Sequence, residues 1–339
     1  MNNSNETNKI NITPFGGIHH VTAITSSAEK IYDFFTEIMG MRLVKKTVNQ
    51  DDINTYHLFF ADDRGNAGTD ITFFDFQGIQ PHRRGTDDIS RTGFRVPSDE
   101  AISYWQKRFT HYNVNQEEIR ELFGRKVLCF EDFDGQRYAI FSDENDSGVA
   151  AGEPWHKGPV PDEYAIYGLG PIFLTVHDTE MMDVALSRVM QMRKVSQEGD
   201  LTLYEMGEGG NGASVIVELD TESSLGMQGY GGVHHVAFRV KDREELDSWL
   251  ELFDRVNLPN SGFVDRFYFK SVYIRLYPNI LFELATDGPG FIDEDESYEI
   301  LGETLDLPPH LKDRREYIEK TVRHFDTVRS TRTFDKEYL

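Results

Sequence analysis

The pattern Gly-Gly-x-His-His-Val occurs twice in this 339-residue chain, at Gly16–Val21 and at Gly231–Val236. A single strand histidine is more often packed or solvated than ligating, but one motif repeated at matching points of two segments is harder to ascribe to packing. A carboxylate, Glu283, lies in the strand-like run NILFELAT. Two imidazoles and one carboxylate on one side of an octahedral ion leave three positions open, an arrangement that suits non-haem Fe(II) and its reactions with O2. Fe(II) is therefore the favoured cofactor. Mn(II) fits the same ligands, and Zn(II) with a bound water is also served by two histidines and a glutamate.

Such residues need elements to position them, and the chain supplies these by repetition. GGIHHVTAIT is followed by the helix-like AEKIYDFFTEIMG, with Ser26 and Glu29 as a capping box, and by MRLVKKTVN, TYHLFFA and TDITFFDF. GGVHHVAFRV is followed by ELDSWLELF, boxed by Asp242 and Glu245, and by SGFVDRFYF, SVYIRLY and NILFELAT. Two similar units lie between them, one from TGFRVPSDEAISYWQKRF to DGQRYAIFSDEN and one from GPIFLTVHDTEMMDVALSRVM to GASVIVELD. Four βαβββ units account for residues 14–290, grouped as an N-terminal two-module domain (14–150) and a C-terminal one (165–290). Residues 291–339 read as an acidic linker and a helix near His310–Phe325, with the first and last dozen residues as loose ends.

Strand–helix–strand–strand–strand repeated four times resembles the vicinal oxygen chelate superfamily, the glyoxalase and extradiol dioxygenase group. The resemblance implies an α+β fold in which paired modules make two cupped mixed β-sheets with helices outside. Strand parity then selects a site. Val236, Phe238 and Val240 form the apolar set beneath the helix, which turns His235, Ala237 and Arg239 to the concave face. The same register turns His20 and Thr22 to that face, and Phe282 and Leu284 under the helix leave Glu283 on it. The middle units act as a control. Aligned on their valines, they carry Arg91 and Pro171 where His235 stands, and Ala139 and Glu218 where Glu283 stands. One site, shared by the first and fourth units, is the economical inference. His57 is a further candidate for the cup lining, whereas His82, His111, His156, His177, His310 and His324 fall in loops or helices as solvated or structural groups.

Composition bounds the rest. With 35 basic and 58 acidic side chains the net charge is −23, which disfavours nucleic acid as a partner. The basic stretch Lys312–Arg332 reads as a solvated face or a clamp onto the acidic body. No apolar run approaches the ~20 residues of a membrane span, and the N-terminus lacks the pattern of a signal peptide. The single cysteine, Cys129, reads as a buried inert thiol, and a reducing cytoplasmic setting is expected.

The stretches GGIHHVTAI, MGMRLVKKTVNQDD, YHLFFADDRGNAGTDITFF and GGVHHVAFRV, with DRFYFKSVYIRLYPNILFELATDGPGF and LGETLDLPP, look like the hydroquinone-type ring-cleaving dioxygenases of that superfamily. The resemblance spans nearly the whole chain. It implies iron held by His20, His235 and Glu283, with His19, His234, Thr22, Arg266 and Tyr273 around them. It implies a small aromatic substrate of hydroquinone or catechol type, O2 as co-substrate, extradiol-type ring opening and a homodimer. Tyr273 or a non-ligand histidine would act as acid/base, and Arg266 would hold negative charge. Arg266 could instead pair at the surface, and Tyr273 could simply pack among aromatic residues. The family often has a Gly-Gly pair before the glutamate strand, and here the turn is Tyr277-Pro278-Asn279, expected at the cup rim. Two other classes use the same cup: a glyoxalase-like isomerase or thiol transferase, with more protein ligands as a rule, and a non-catalytic binding or resistance protein.

Overall fold

The computed structural model describes residues 12–328 and 332–339. The first module holds β1 (Ile18–Ile24), α1 (Ala28–Asp33, continued by a π-helical turn over Phe34–Ile38), β2 (Arg42–Val48), β3 (Tyr56–Ala61) and β4 (Asp70–Phe74). The second holds β5 (Asp88–Val96), α2 (Asp99–His111), β6 (Asn115–Gln116), β7 (Arg120–Leu122), β8 (Arg125–Glu131) and β9 (Arg137–Ser142). The third holds β10 (Gly168–Val176), α3 (Thr179–Asp183, with a π-helical turn over Val184–Val189), β11 (Arg193–Glu198), β12 (Leu201–Glu205) and β13 (Ser214–Leu219). The fourth holds β14 (Gly232–Val240), α4 (Arg243–Arg255), β15 (Val264–Asp265), β16 (Lys270–Tyr277) and β17 (Ile280–Thr286).

These elements build two mixed, curled sheets, an α+β architecture. One runs β15-β16-β17-β14-β1-β4-β3-β2, the other β11-β12-β13-β10-β5-β9-β8-β6 with β7 paired to β8. The first and fourth modules thus share one sheet and the second and third share the other, so the segments 14–150 and 165–290 each contribute to both. What joins consecutive modules is the packing between sheets: Phe35 lies 5.1 Å from both Phe60 and Phe73 of its own module and 6.1 Å from Phe94 of the next.

Alternation along the strands separates two faces. Val236, Phe238 and Val240 join the large core beneath the helices, while Ala237 joins Phe59, Phe269 and Ala285 in a smaller apolar cluster on the other side. Leu246, Trp249 and Phe253 recur at helical spacing on α4 and are fully buried. Trp249 stacks on Phe15 at 4.3 Å, and each such side chain contributes about 1.5–3 kcal/mol by leaving water.

Several local expectations are corrected. Ser27, not Ser26, caps α1, accepting from the Lys30 amide at 3.3 Å; Ser26 instead bonds Asp134. The first 11 residues lie outside the described residues. The last residues are not loose. Glu337 bonds the fully buried Arg108 at 2.5 Å and Tyr112 at 2.9 Å, and Lys336 reaches Asp162 at 3.0 Å. The expected C-terminal helix is a 3-10 turn over Pro309–Arg314 followed by α5 (Arg315–Thr321). In the basic stretch Lys312 pairs with Asp295, Arg323 with Glu29 and Arg332 with Glu37, as a clamp would, while Arg315 and Lys320 pair along α5 with Glu319 and Glu316. Among the described residues, no helix is long and apolar enough to cross a membrane.

Candidate metal centre and its cavity

Strands β1 and β14 lie antiparallel at the middle of the first sheet, and their pairing slips twice. Ile18 faces Phe238 and His20 faces Ala237, so His19 is an extra residue on β1. Thr22 faces His235 and Ala23 faces Val233, so His234 is an extra residue on β14. A bulge of this kind re-aims side chains, and it brings both members of each His-His pair to the same region. The β5–β10 pairing slips at the corresponding points, around Ser90 and around Gly170-Pro171. All four modules keep the bulge, and only the first and fourth fill it with histidine.

The bulges and the β17 register bring His20, His235 and Glu283 together. His20 Nε2 lies 3.3 Å from His235 Nε2, and Glu283 Oε2 lies 3.2 Å from the first and 2.9 Å from the second. All three side chains are buried. Glu283 Oε1 accepts from Ser271 Oγ at 2.5 Å, whereas Oε2 faces only the two imidazoles. Burial alone would raise the Glu283 pKa, but His20 and His235 beside it hold the carboxyl well below its ordinary range.

The neighbouring histidines decide which ring nitrogens carry protons. His19 Nε2 lies 2.9 Å from the Thr286 carbonyl, which can only accept, so that nitrogen is N–H. Burial, reinforced by His20, lowers the His19 pKa to about 3, so its Nδ1 is a lone pair. His20 Nδ1, 2.9 Å away, donates to it, and His20 Nε2 is thereby turned toward the cluster. His234 Nδ1 lies 2.7 Å from His235 Nδ1, and burial together with His235 lowers the His234 pKa to about 3. That contact turns His235 Nε2 toward Glu283 Oε2. Two imidazole nitrogens and one carboxylate oxygen thus converge on one point. That donor set fits a divalent cation.

The cluster opens on a cavity of about 430 Å³. Phe59, Phe74, Phe76, Phe269 and Leu281 give it apolar walls, and Asn49, Gln50, Asp51 and Arg266 line a polar part. Arg266 pairs with Asp51 at 3.0 Å and donates from Nε to Tyr273 Oη at 3.0 Å. It does not pair with the neighbours of Asp265, which bonds Lys270. Tyr273 faces Glu283 across β16–β17, and burial followed by that carboxylate raises its pKa. Between Arg266 and Tyr268, Phe267 adopts φ +71, rare for a bulky side chain, and both neighbours line the cavity. Tyr268 is fixed from behind by Asp306, at 2.6 Å, which also receives the buried Lys45 at 3.1 Å.

Of the residues expected at the site, His20, His235, His234, Arg266 and Tyr273 line the cavity. His19 and Thr22 stand behind it, Thr22 accepting from Thr72 Oγ1 at 2.8 Å. Sequence reasoning did not single out Phe74, Phe269, Tyr268 or Gln50, which no spacing rule distinguishes from packing residues. His57, weighed as a candidate, is in the wall. The Tyr277-Pro278-Asn279 turn does not line the cavity; Tyr277 Oη accepts from the Asp178 amide of the third module at 3.0 Å. Glu218 is not the counterpart of Glu283. Val240 pairs with Thr286 and Val176 with Leu219, so three residues back the counterpart is Ile216. In the second sheet Ile216 joins Cys129, Ala139, Phe141 and Phe173 in an apolar cluster, and burial raises the pKa of the Cys129 thiol.

Residues 17–140 match the Glyoxalase/Bleomycin resistance protein/Dioxygenase superfamily. MhqA of Bacillus subtilis (strain 168), provisionally named a ring-cleaving dioxygenase, is 42% identical over 312 residues, covering 91% of this chain and 98% of that protein. A chlorohydroquinone/hydroquinone 1,2-dioxygenase of Sphingobium indicum is 34% identical over 315 residues, covering 90% of this chain and 95% of its own length. A crystal structure from Bacillus subtilis, provisionally titled a dioxygenase, matches with a TM-score of 0.84 at 35% identity, covering 92% of this chain and 98% of the other.

Proposed function

Because the chain belongs to the hydroquinone-type ring-cleaving dioxygenases of the glyoxalase/bleomycin resistance/dioxygenase superfamily, we propose that it uses Fe(II) and O2 to open a hydroquinone- or catechol-type ring by extradiol-type cleavage. The observation that carries this reading is the convergence of His20 Nε2, His235 Nε2 and Glu283 Oε2 beside an aromatic-walled cavity. Among the described residues no fourth histidine, cysteine, aspartate or glutamate joins the three, in keeping with open positions for a substrate oxygen and O2. A ferrous ion held there would supply positive charge that ionises a ring hydroxyl and a path by which the electron-rich ring passes electrons to O2.

The protein's own groups divide the remaining work. Phe59, Phe74, Phe269 and Leu281 hold the ring and exclude water. Tyr273 Oη already accepts from Arg266 Nε, so its own proton is directed outward and can be donated to an oxygen that gains charge. The Arg266 guanidinium, kept protonated by Tyr273 and Asp51 against the opposing effect of burial, stabilises negative charge at the cavity wall. His234, turned toward the cavity by the bulge, is a second acid/base group there.

The test is anaerobic loading with Fe(II), addition of methylhydroquinone or catechol, and measurement of O2 uptake beside H235A. Stoichiometric uptake with a ring-opened chromophore, lost in the variant, is expected. Tight iron binding with no oxygen consumed by any diphenol would overturn ring cleavage and put the isomerase and thiol-transfer chemistries first.

A further inference from the structure

Arg266 is held from two sides. Its Nε donates to Tyr273 Oη at 3.0 Å, and its Nη2 pairs with Asp51 Oδ2 at 3.0 Å. All three residues line the cavity. The Asp51 side chain is 72% exposed and that of Arg266 only 22%, so the carboxylate stands at the open end and the guanidinium deeper in. The loop that carries Asp51, between β2 and β3, is fastened in place. The Asp51 amide donates to Asn49 Oδ1 at 2.9 Å, and Gln50 Nε2 donates to the Arg266 carbonyl at 2.8 Å. The next carboxylate, Asp52, also lines the cavity but accepts within its own loop, from Thr55 Oγ1 at 2.9 Å and from the Asn54 amide at 3.3 Å. Of these two, Asp51 alone pairs with Arg266.

The chemistry of ring opening gives this pair a use. Insertion of O2 between a hydroxyl-bearing carbon and its neighbour breaks the bond joining them, and those two carbons supply the electrons that reduce both oxygen atoms. One oxygen completes a carboxylic acid on the first carbon, and the other becomes a carbonyl on the second. A diphenol enters uncharged, whereas the acid it becomes gives its proton to water and is an anion near neutral pH. The guanidinium that steadies charge during the reaction is therefore also the group that would retain the product. We infer that Asp51 is an intramolecular competitor for Arg266, which reclaims the guanidinium from the product carboxylate and speeds its release. An ion pair exposed on one side is weak, so Asp51 yields to charge developing at the ring and returns once that charge can leave. The role in release rests on the ring-cleaving reading above.

The full-length protein, loaded anaerobically with Fe(II), is titrated calorimetrically with sorbate, an open-chain unsaturated carboxylate, and with the matching uncharged alcohol, 2,4-hexadien-1-ol. D51N should bind sorbate about fivefold tighter than the parent, the worth of one partly exposed ion pair, and the alcohol no differently. D51E, which keeps the charge, should bind sorbate as the parent does. D52N removes the same charge from the same loop without freeing Arg266, and should gain nothing. Adding D51N to R266Q should also gain nothing. With a diphenol and O2, D51N progress curves should slow earlier than the parent's as product accumulates. The proposal is overturned if D51N binds sorbate no tighter, if D52N gains as much, if the gain persists without Arg266, or if the progress curves coincide. Any of these beside normal oxygen uptake leaves the dioxygenase reading standing. If no diphenol drives oxygen uptake, that reading falls and the release role falls with it.

Discussion

His57 of the first module and Ser271 of the fourth occupy the same place. Ser271 lies diagonally behind Glu283 and bonds it, and His57 lies diagonally behind Thr72 and bonds that. Glu283 and Thr72 are themselves equivalent, facing Ala237 and Thr22 on the adjoining strands. The duplicated scaffold thus keeps one geometry with two chemistries: a carboxylate steadied by a hydroxyl on one side, and a hydroxyl steadying an imidazole on the other.

Ser271 should therefore matter through the carboxylate it holds. S271A is expected to weaken Fe(II) binding about 10–100-fold, as loss of a group orienting a metal ligand does, and E283Q by more. Competition against a coloured chelator reads both. An S271A affinity equal to the parent's would show that Glu283 needs no orienting partner.

The proton arrangement predicts the role of His19. H19F removes the acceptor for His20 Nδ1–H, frees the ring to rotate or change tautomer, and should lower Fe(II) affinity by about 10-fold or more. Because His19 lies behind the cavity, the KM for substrate at saturating iron should hold. A change in KM with intact iron affinity would contradict this assignment.

Y273F should fold, bind iron and bind a diphenol, yet lose about 10²–10⁴ in kcat, the usual contribution of a positioned proton donor. An unchanged kcat would move the acid/base role to His234.

Stability should fall on the acid side partly because of His57. Its folded pKa is well below 6.5. As pH drops below about 6.5 the unfolded chain takes a proton that the native state refuses, so native stability is lost on acidification and regained as pH rises toward that value. Urea denaturation of the metal-free protein between about pH 7 and pH 5 should show a shallower slope for H57F than for the parent. Parallel profiles would exclude a buried neutral ring at this position.

Removing the carboxylate of Glu337 leaves the guanidinium of Arg108, a fully buried side chain, with only the Ile38 and Glu37 carbonyls and the Tyr104 hydroxyl. E337A should cost about 2 kcal/mol, below the value for a wholly buried pair because Glu337 is partly exposed. Thermal unfolding checks it, and a loss under about 0.5 kcal/mol would mean the tail does not anchor α2.

The repeat and the triad could be read from the chain because alternation is a local property: Val236, Phe238 and Val240 announce which face His235 must take. Four things could not. A bulge breaks alternation, so nothing in His19-His20 says that both rings turn to one region. Register between strands is not written within a strand, which is why Glu218 resembled Glu283 until Ile216 proved to be the counterpart. The pairing of modules depends on contacts far apart in sequence, and the anchoring of Lys336 and Glu337 depends on a surface made by other modules.

The central pairing of β1 with β14 also orders events during synthesis. Residues 18–24 must wait for residues 232–240 before their free edge is covered, and Glu283 emerges later still. Until then β1 is an open strand edge, the kind of surface that seeks a partner on another chain. No truncated product ending before residue 283 can assemble the three-ligand set, so a ribosome-bound chain cannot capture iron there prematurely. Binding at the proposed metal centre would in this sense report that translation of the last module is complete.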